Sequence, residues 1–228
     1  MKGILRLEYI VSKLLYLFID FSPITRPEDE GVIGILCRND DKGGHITKLI
    51  RKLRPGSVMH MCPMGGLRLK FEEDEIWFRG SQICRINLIA GGTGIAPMIQ
   101  VIRAYSRHIR NNGGNISGGL NLIYAAEDES DLAFMKLLSR VHNDFPQHFK
   151  FYVKLNSPPL GWTEGVGFID ARDIRKHLAY PQRDGDLNIV CGPPIFENAM
   201  LKLLTKHGFL NHQIYSFSGD EKVACSSP

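Results

Sequence analysis

Three glycine-bearing turns hold the residues of this sequence best suited to chemistry. The first is Ile89-Ala90-Gly91-Gly92-Thr93-Gly94-Ile95-Ala96-Pro97, between a continuous apolar run and a helical pattern. Glycines there let the backbone approach a phosphate, whose charge a helix N-terminus favours. Its spacing is not the dinucleotide fingerprint G-x-G-x-x-G, because Pro97 takes the third glycine's place. The second turn is Cys191-Gly192-Pro193-Pro194, again between an apolar run and a helix. A thiol and a glycine leave room there for a flat ring. The third, Gly44-His45-Ile46-Thr47, opens a helix and offers free amides and a hydroxyl to a phosphate. Each turn alone also reads as an ordinary start to a helix, with Cys191 a buried thiol and His45 a solvated loop residue. No Ser/His/Asp set and no paired carboxylates stand out.

The elements that must position these turns divide the chain at residues 84/85. From 85 to 228 strands and helices alternate. Strands are expected at Ile86–Ala90, Leu120–Ala126, Phe149–Leu155, Leu187–Cys191 and Gln213–Phe217. Helices follow Pro97 and cover about Asp131–His142, Ala171–Leu178 and Ile195–His207. Alternation of this kind means a parallel sheet covered on both faces, here with five strands. Ligands of such sheets bind at the carboxyl ends of the strands, near the point where strand order reverses. Two of the three turns are therefore expected to face one crevice. Residues 1–84 carry short strands at Val32–Arg38, Ser57–Cys62 and Leu67–Glu72, with a helix from Gly44 to about Leu53, which suggests a partial antiparallel β-barrel. The fold class is α/β, with a barrel fragment ahead of a nucleotide-binding domain.

Composition narrows the function classes. The 228 residues are 43% hydrophobic and 23% charged, ordinary for a globular chain. The net charge of +4 is evenly spread, with 13 basic and 11 acidic groups over 1–84 and 15 and 13 over 85–228. No basic face is implied, which argues against a dedicated nucleic-acid binder. Five cysteines without a C-x-x-C pair suit a reducing compartment and argue against a zinc site or disulfide framework. The apolar run Ile10–Ile19 is too short to span a bilayer and reads as a buried strand or helix, with a weak membrane-surface contact as the other option.

Taken together, the three turns in this order resemble the ferredoxin reductase superfamily, in its NADH–cytochrome b5 reductase branch. There a flavin barrel carries R-x-Y-[ST]-P and then G-x-x-[ST]-x-x-L, and a nucleotide domain follows with G-G-T-G-I-x-P-M and C-G-P-P. Gly91–Met98 and Cys191–Pro194 match, and Trp162 precedes Gly167-Phe168-Ile169 as in that family. The resemblance implies that FAD and NADH are the cofactors. By it, Gly44, His45, Ile46 and Thr47 cradle the FAD pyrophosphate, and Phe21 and Ser22 meet the isoalloxazine. Gly92, Thr93 and Gly94 lie against the NADH phosphates, Gly192 and Pro193 flank the nicotinamide, and Cys191 stands near hydride transfer. Ser22 and Cys191 are thereby the catalytic candidates. The implied acceptor is a haem protein such as cytochrome b5. A monomer is expected, in the cytoplasm or on the cytosolic face of the endoplasmic reticulum or mitochondrial outer membrane.

Coenzyme choice follows from Tyr124–Asp131, which aligns with the family's adenosine-ribose segment and puts Asp131 at its ribose-side Asp. Carboxylates there accept from a ribose hydroxyl and repel a 2′-phosphate, which favours NADH over NADPH. The same residues also suit an acidic helix start capped by Ser130 or Asp131. The chain departs from the family at Ile19 and Phe21, which replace the Arg and Tyr of the flavin motif. Cys62-Pro63-Met64-Gly65 stands for G-P-x-G, and Ala96 replaces a hydroxyl residue. Roughly 50 more residues of barrel would precede the flavin motif in a domain of usual size. A flavin-free form that binds nucleotide without turnover, or a reductase module with another acceptor, are the alternative readings.

Overall fold

The computed structural model describes residues 5–11, 15–26, 28–37, 45–58, 60–63, 66–114, 116, 118–178 and 185–218. It falls into two compact units, 1–67 and 68–228. The division is earlier in the chain than the boundary read from the sequence pattern.

In the first unit, β1 (Leu5–Val11) and β2 (Leu15–Phe21) form an antiparallel hairpin in which Leu5 pairs with Phe21 and Val11 with Leu15. The described residues of the apolar run, 10–11 and 15–19, are thus strand. Helix α1 (His45–Ile50) follows, and β3 (His60–Pro63) pairs antiparallel with β1, giving the order β2-β1-β3. The strand expected at Val32–Arg38 does not form among its described residues. Only Ile35 makes a bridge, to Pro23, while Val32 and Ile33 stay exposed after a left-handed Gly31. An apolar run with a single bridge has no ladder to extend it.

The second unit opens with a small antiparallel sheet, β4 (Leu69–Glu72), β5 (Glu75–Phe78) and β6 (Ser81–Ile83). It packs on the larger sheet that follows, which is why it belongs to this unit. Phe78 meets Tyr215 edge-on at 6.0 Å, Arg79 caps the Phe78 ring at 4.9 Å, and Phe71 lies 5.2 Å from His108.

The larger sheet is built by β7 (Arg85–Gly91), α2 (Ile95–Asn111), β8 (Gly119–Ala126), α3 (Met135–Asp144), β9 (Phe149–Leu155), β10 (Gly165–Val166), α4 (Ala171–His177), β11 (Asp186–Cys191), α5 (Pro194–Lys206) and β12 (Ile214–Ser216). Its strands are parallel, in the order β10-β9-β8-β7-β11-β12. The expected five strands are joined by β10, a two-residue strand with too little pattern to be seen in the sequence. From β7 the chain builds outward to β10, then crosses back to β11 on the other side of β7. Right-handed crossovers put α2 and α3 on one face and α4 and α5 on the other.

Ile89, Ile123, Val190 and Ile214 point to the α4/α5 face and bury against Ile174, Met200, Leu204 and Phe209. On the opposite face Leu88, Leu122 and Ile189 lie under α2, whose Ile95, Met98, Ile99, Ile102, Tyr105 and Ile109 are buried at helical spacing. Polar groups set the register at the amino ends of the strands. Arg85 donates two bonds of 3.0 Å to Asp186 across the β7/β11 pair. Asn121 donates to Asn87, Asn87 to Asn188, and Asn188 to the Gln213 carbonyl, at 3.0, 3.0 and 3.2 Å. This chain of amides runs across β8, β7 and β11 inside the core.

Helix α4 has its own anchors. Asp170 caps it, accepting from the backbone of Arg172 and Asp173, and Asp173 returns a bond to the Asp170 amide. Lys154 on β9 donates to Asp173, and His177 stacks on Tyr152 with ring centroids 3.8 Å apart.

Candidate functional site

The sheet's switch point lies between β7 and β11, whose carboxyl ends are Gly91 and Cys191. Both glycine turns of this unit leave the sheet there. After β7 a single 3₁₀ turn, Gly92–Gly94, runs into α2. Gly92 has φ +55°, and a β-carbon there would meet nothing within 4 Å, so backbone conformation and not crowding requires glycine. Gly94 is glycine for the opposite reason. A β-carbon would run into the Cys191 carbonyl, because the start of α2 lies against the end of β11. Thr93 between them is exposed. The 3₁₀ turn has no side-chain cap at its start, and the Ile95 N–H that opens α2 donates back to the Gly92 and Thr93 carbonyls, so the amides this turn can offer a ligand are those of the 3₁₀ segment itself.

On the β11 side the turn continues into α5, with Pro193 as cap residue and Pro194 at the first helical position, where a missing N–H costs nothing. Cys191 and Gly192 are half-buried, and Pro193 is exposed. Cys191 is not in a disulfide. The Phe196 ring lies under both turns: a β-carbon on Gly91 would come within 2.9 Å of it, and one on Gly192 within 2.6 Å. The Gly192 N–H points inward and donates to Glu197 at 3.1 Å. Gly192 can therefore offer a ring its lack of side chain, but not its amide. Phe196 and Glu197 escape a motif search, since they read as ordinary helix residues; the signal available was an acidic residue one turn into a helix.

Asp131 stands at the end of β8, next to β7 in the sheet. The expected helix from Asp131 is replaced by a 3₁₀ turn, Glu129–Asp131, and α3 begins only at Met135. Leu132 is extended and Phe134 left-handed (φ 64°), which breaks the helix between them. The cap is Asp128, not Ser130 or Asp131: it accepts from the Ser130 amide at 2.9 Å and hydroxyl at 2.6 Å. Glu127 accepts from Asn156 and Ser157 at 3.0 and 3.1 Å. Tyr124 donates to the Asp131 carbonyl and accepts from the Ala133 amide, which braces the turn. Burial pushes the Tyr124 hydroxyl up, so it stays a donor. The half-buried Asp131 carboxylate thus stands on a loop held from beneath.

The remaining candidates belong to the first unit. Phe21 ends β2, and both it and Ser22 are half-buried. Thr47 is buried in the first turn of α1, where His45 and Ile46 are described by their backbone alone, and Gly44 lies outside the described residues. No group of three or more His, Cys, Asp or Glu able to hold a metal occurs among the described residues.

Fold and switch-point turns define a dinucleotide-binding α/β domain. The family model of the oxidoreductase NAD-binding domain matches residues 88–202, and the chain belongs to that family. It is 34% identical to NADH-cytochrome b5 reductase 1 of Neosartorya fischeri over 191 residues, covering 83% of this chain and 58% of that protein. The same-named protein of Dictyostelium discoideum is 32% identical over 86% of this chain and 63% of its own. The chain thus spans about three-fifths of the length of these curated relatives. Among solved structures, the cytochrome b5 reductase domain of Ulva prolifera nitrate reductase is similar in fold, with a TM-score of 0.79 at 23% identity over 94% of this chain and 83% of that one.

Proposed function

We propose that the chain is an FAD-dependent reductase that takes hydride from NADH and passes single electrons to a haem protein such as cytochrome b5. The observation that carries this reading is the meeting of the two glycine turns at the switch point, with Gly94 against the Cys191 carbonyl. In this reading Gly92, Thr93 and Gly94 present backbone amides and a hydroxyl to the dinucleotide phosphates, and Asp131 accepts from a ribose hydroxyl. Gly192 and Pro193 flank the nicotinamide, with Cys191 beside it. The open space at Gly92 and the 3₁₀ turn without a side-chain cap fit such a ligand in kind.

On the flavin side, residues 1–84 would hold FAD, with Phe21 and Ser22 toward the isoalloxazine and Gly44, His45, Ile46 and Thr47 toward the pyrophosphate. Ile19 provides no cation, so backbone amides at α1 and the Thr47 hydroxyl would meet that charge. Bound FAD would supply the conversion between a two-electron donor and a one-electron acceptor. The protein's task is to hold the two rings in register, since transfer rates fall steeply with misplacement. The same reading makes the protein a monomer working in the cytoplasm or on the cytosolic face of the endoplasmic reticulum or mitochondrial outer membrane. Among the described residues no helix is long and apolar enough to cross a membrane.

The test uses the purified chain supplied with FAD. Flavin absorbance and NADH-dependent ferricyanide reduction, with NADPH much slower, are expected. A colourless chain that binds NADH without turnover would make it a nucleotide-binding protein and remove the reductase assignment.

A further inference from the structure

Glu197 lies in the first turn of α5, and at 2% exposure its carboxylate is withdrawn from water. Burying a carboxylate is costly unless it is fully met by donors. Here one oxygen accepts from the Gly192 N–H at 3.1 Å; the other accepts from the Ser216 hydroxyl and from the Ser218 N–H at 3.0 Å. An acidic residue in a helix's first turn is ordinarily explained by the helix dipole. A solvent-facing side chain would serve the dipole as well, and needs neither burial nor donors from two other segments. Glu197 instead joins the peptide after Cys191 to the end of β12.

The neighbouring constraints act on the same peptide. The start of α2 at Gly94 abuts the Cys191 carbonyl, and the Phe196 ring fills the space beneath Gly91 and Gly192. The Cys191–Gly192 peptide is thereby held from the α2 side by contact and from the α5 side by a ring and a carboxylate.

We infer that Glu197 is a positioning residue for hydride transfer: it orients the Gly192 peptide that would form the wall beside the nicotinamide, and Ser216 acts on that wall through it. The inference rests on the reductase reading above. It touches neither cofactor, so its role is in the rate of transfer and not in affinity. It also leaves the Gly192 amide engaged, so recognition of the nicotinamide carboxamide must come from other groups.

The experiment compares Glu197→Gln, Ser216→Ala and the double variant in the FAD-loaded full chain, with ferricyanide as acceptor. The glutamine keeps the volume but has one carbonyl oxygen where the carboxylate had two acceptors. Its kcat is expected to fall about tenfold while the KM for NADH moves less than about threefold, as a small displacement of a reacting ring requires. The isotope effect with NADH deuterated at the transferred position should rise as hydride transfer becomes rate-limiting. Ser216→Ala should show a smaller fall of the same kind and add little to Glu197→Gln, because both act on one linkage. It also carries the test alone if Glu197→Gln fails to fold, as judged by circular dichroism. An unchanged kcat and isotope effect, or effects of the two substitutions that multiply, would overturn the inference. A wild-type chain that does not reduce ferricyanide with NADH, whether or not it binds NADH, sinks the reductase reading and the inference with it. An active wild type with an unaffected Glu197→Gln sinks the inference alone.

Discussion

Asp131 and Gly192 illustrate how differently two residues of one proposed site are held. Asp131 rides on a turn braced by Tyr124 and by the Asp128 cap, so groups other than its own side chain help hold the backbone that carries it. Asp131→Ala is therefore expected to act on coenzyme choice. Loss of a carboxylate that accepts from one coenzyme and repels the other's phosphate is expected to narrow the NADH-over-NADPH ratio of kcat/KM by about tenfold. Equal ratios in variant and wild type would take Asp131 out of the ribose site. Gly92, Gly94 and Cys191 were legible in the sequence because glycine between a strand and a helix is rare without a backbone reason. Phe196 and Glu197 were not. Their roles depend on which way a helix turns over two strand ends, and a single aromatic or acidic residue in a helix carries no such information.

At the scale of elements, the periodic segments were the readable ones. The five main strands and four helices of the second unit lie within a few residues of their expected places, because strands buried on both faces read as unbroken apolar runs. The β5–β6 hairpin was hidden, since short antiparallel strands share their composition with loops, whereas the apolar run that holds most of β2 left strand and helix open. Helix α4 shows what the pattern leaves out: its anchors are a capping box, the Lys154–Asp173 pair and the His177–Tyr152 stack. Burial, with help from Lys176, holds the His177 imidazole below its usual value, although Asp173 and Glu164 pull the other way. A base depressed on folding contributes stability that is complete above the unfolded value near 6.5 and is lost as pH falls below it. His177→Phe keeps a ring on Tyr152 and removes the titration. Its melting temperature should fall less than that of the wild type between pH 7 and pH 5. Parallel curves would show that His177 does not contribute to the acid limb.

For the second unit as a whole, the amide chain through Asn121, Asn87, Asn188 and the Gln213 carbonyl does what apolar strands cannot do for themselves. An all-apolar parallel sheet tolerates slippage, whereas a displaced Asn87 would leave buried amides without partners. Asn87→Leu strands the Asn188 oxygen and an Asn121 donor, and a cost of about 2–4 kcal/mol is expected in urea unfolding. A midpoint within error of the wild type would refute that role. The chain also spans large distances in sequence. Asn87 and Asn121 are 34 residues apart and Asn87 and Asn188 are 101 apart, so its longest link forms only when β11 docks beside β7. Contacts of that span close late in folding, because their loop entropy must be overcome first. The same docking event brings Cys191 up to Gly94. A partly folded second unit therefore has no half-formed dinucleotide site to offer, and a ligand at the two turns would recognise only chains whose slowest strand has arrived.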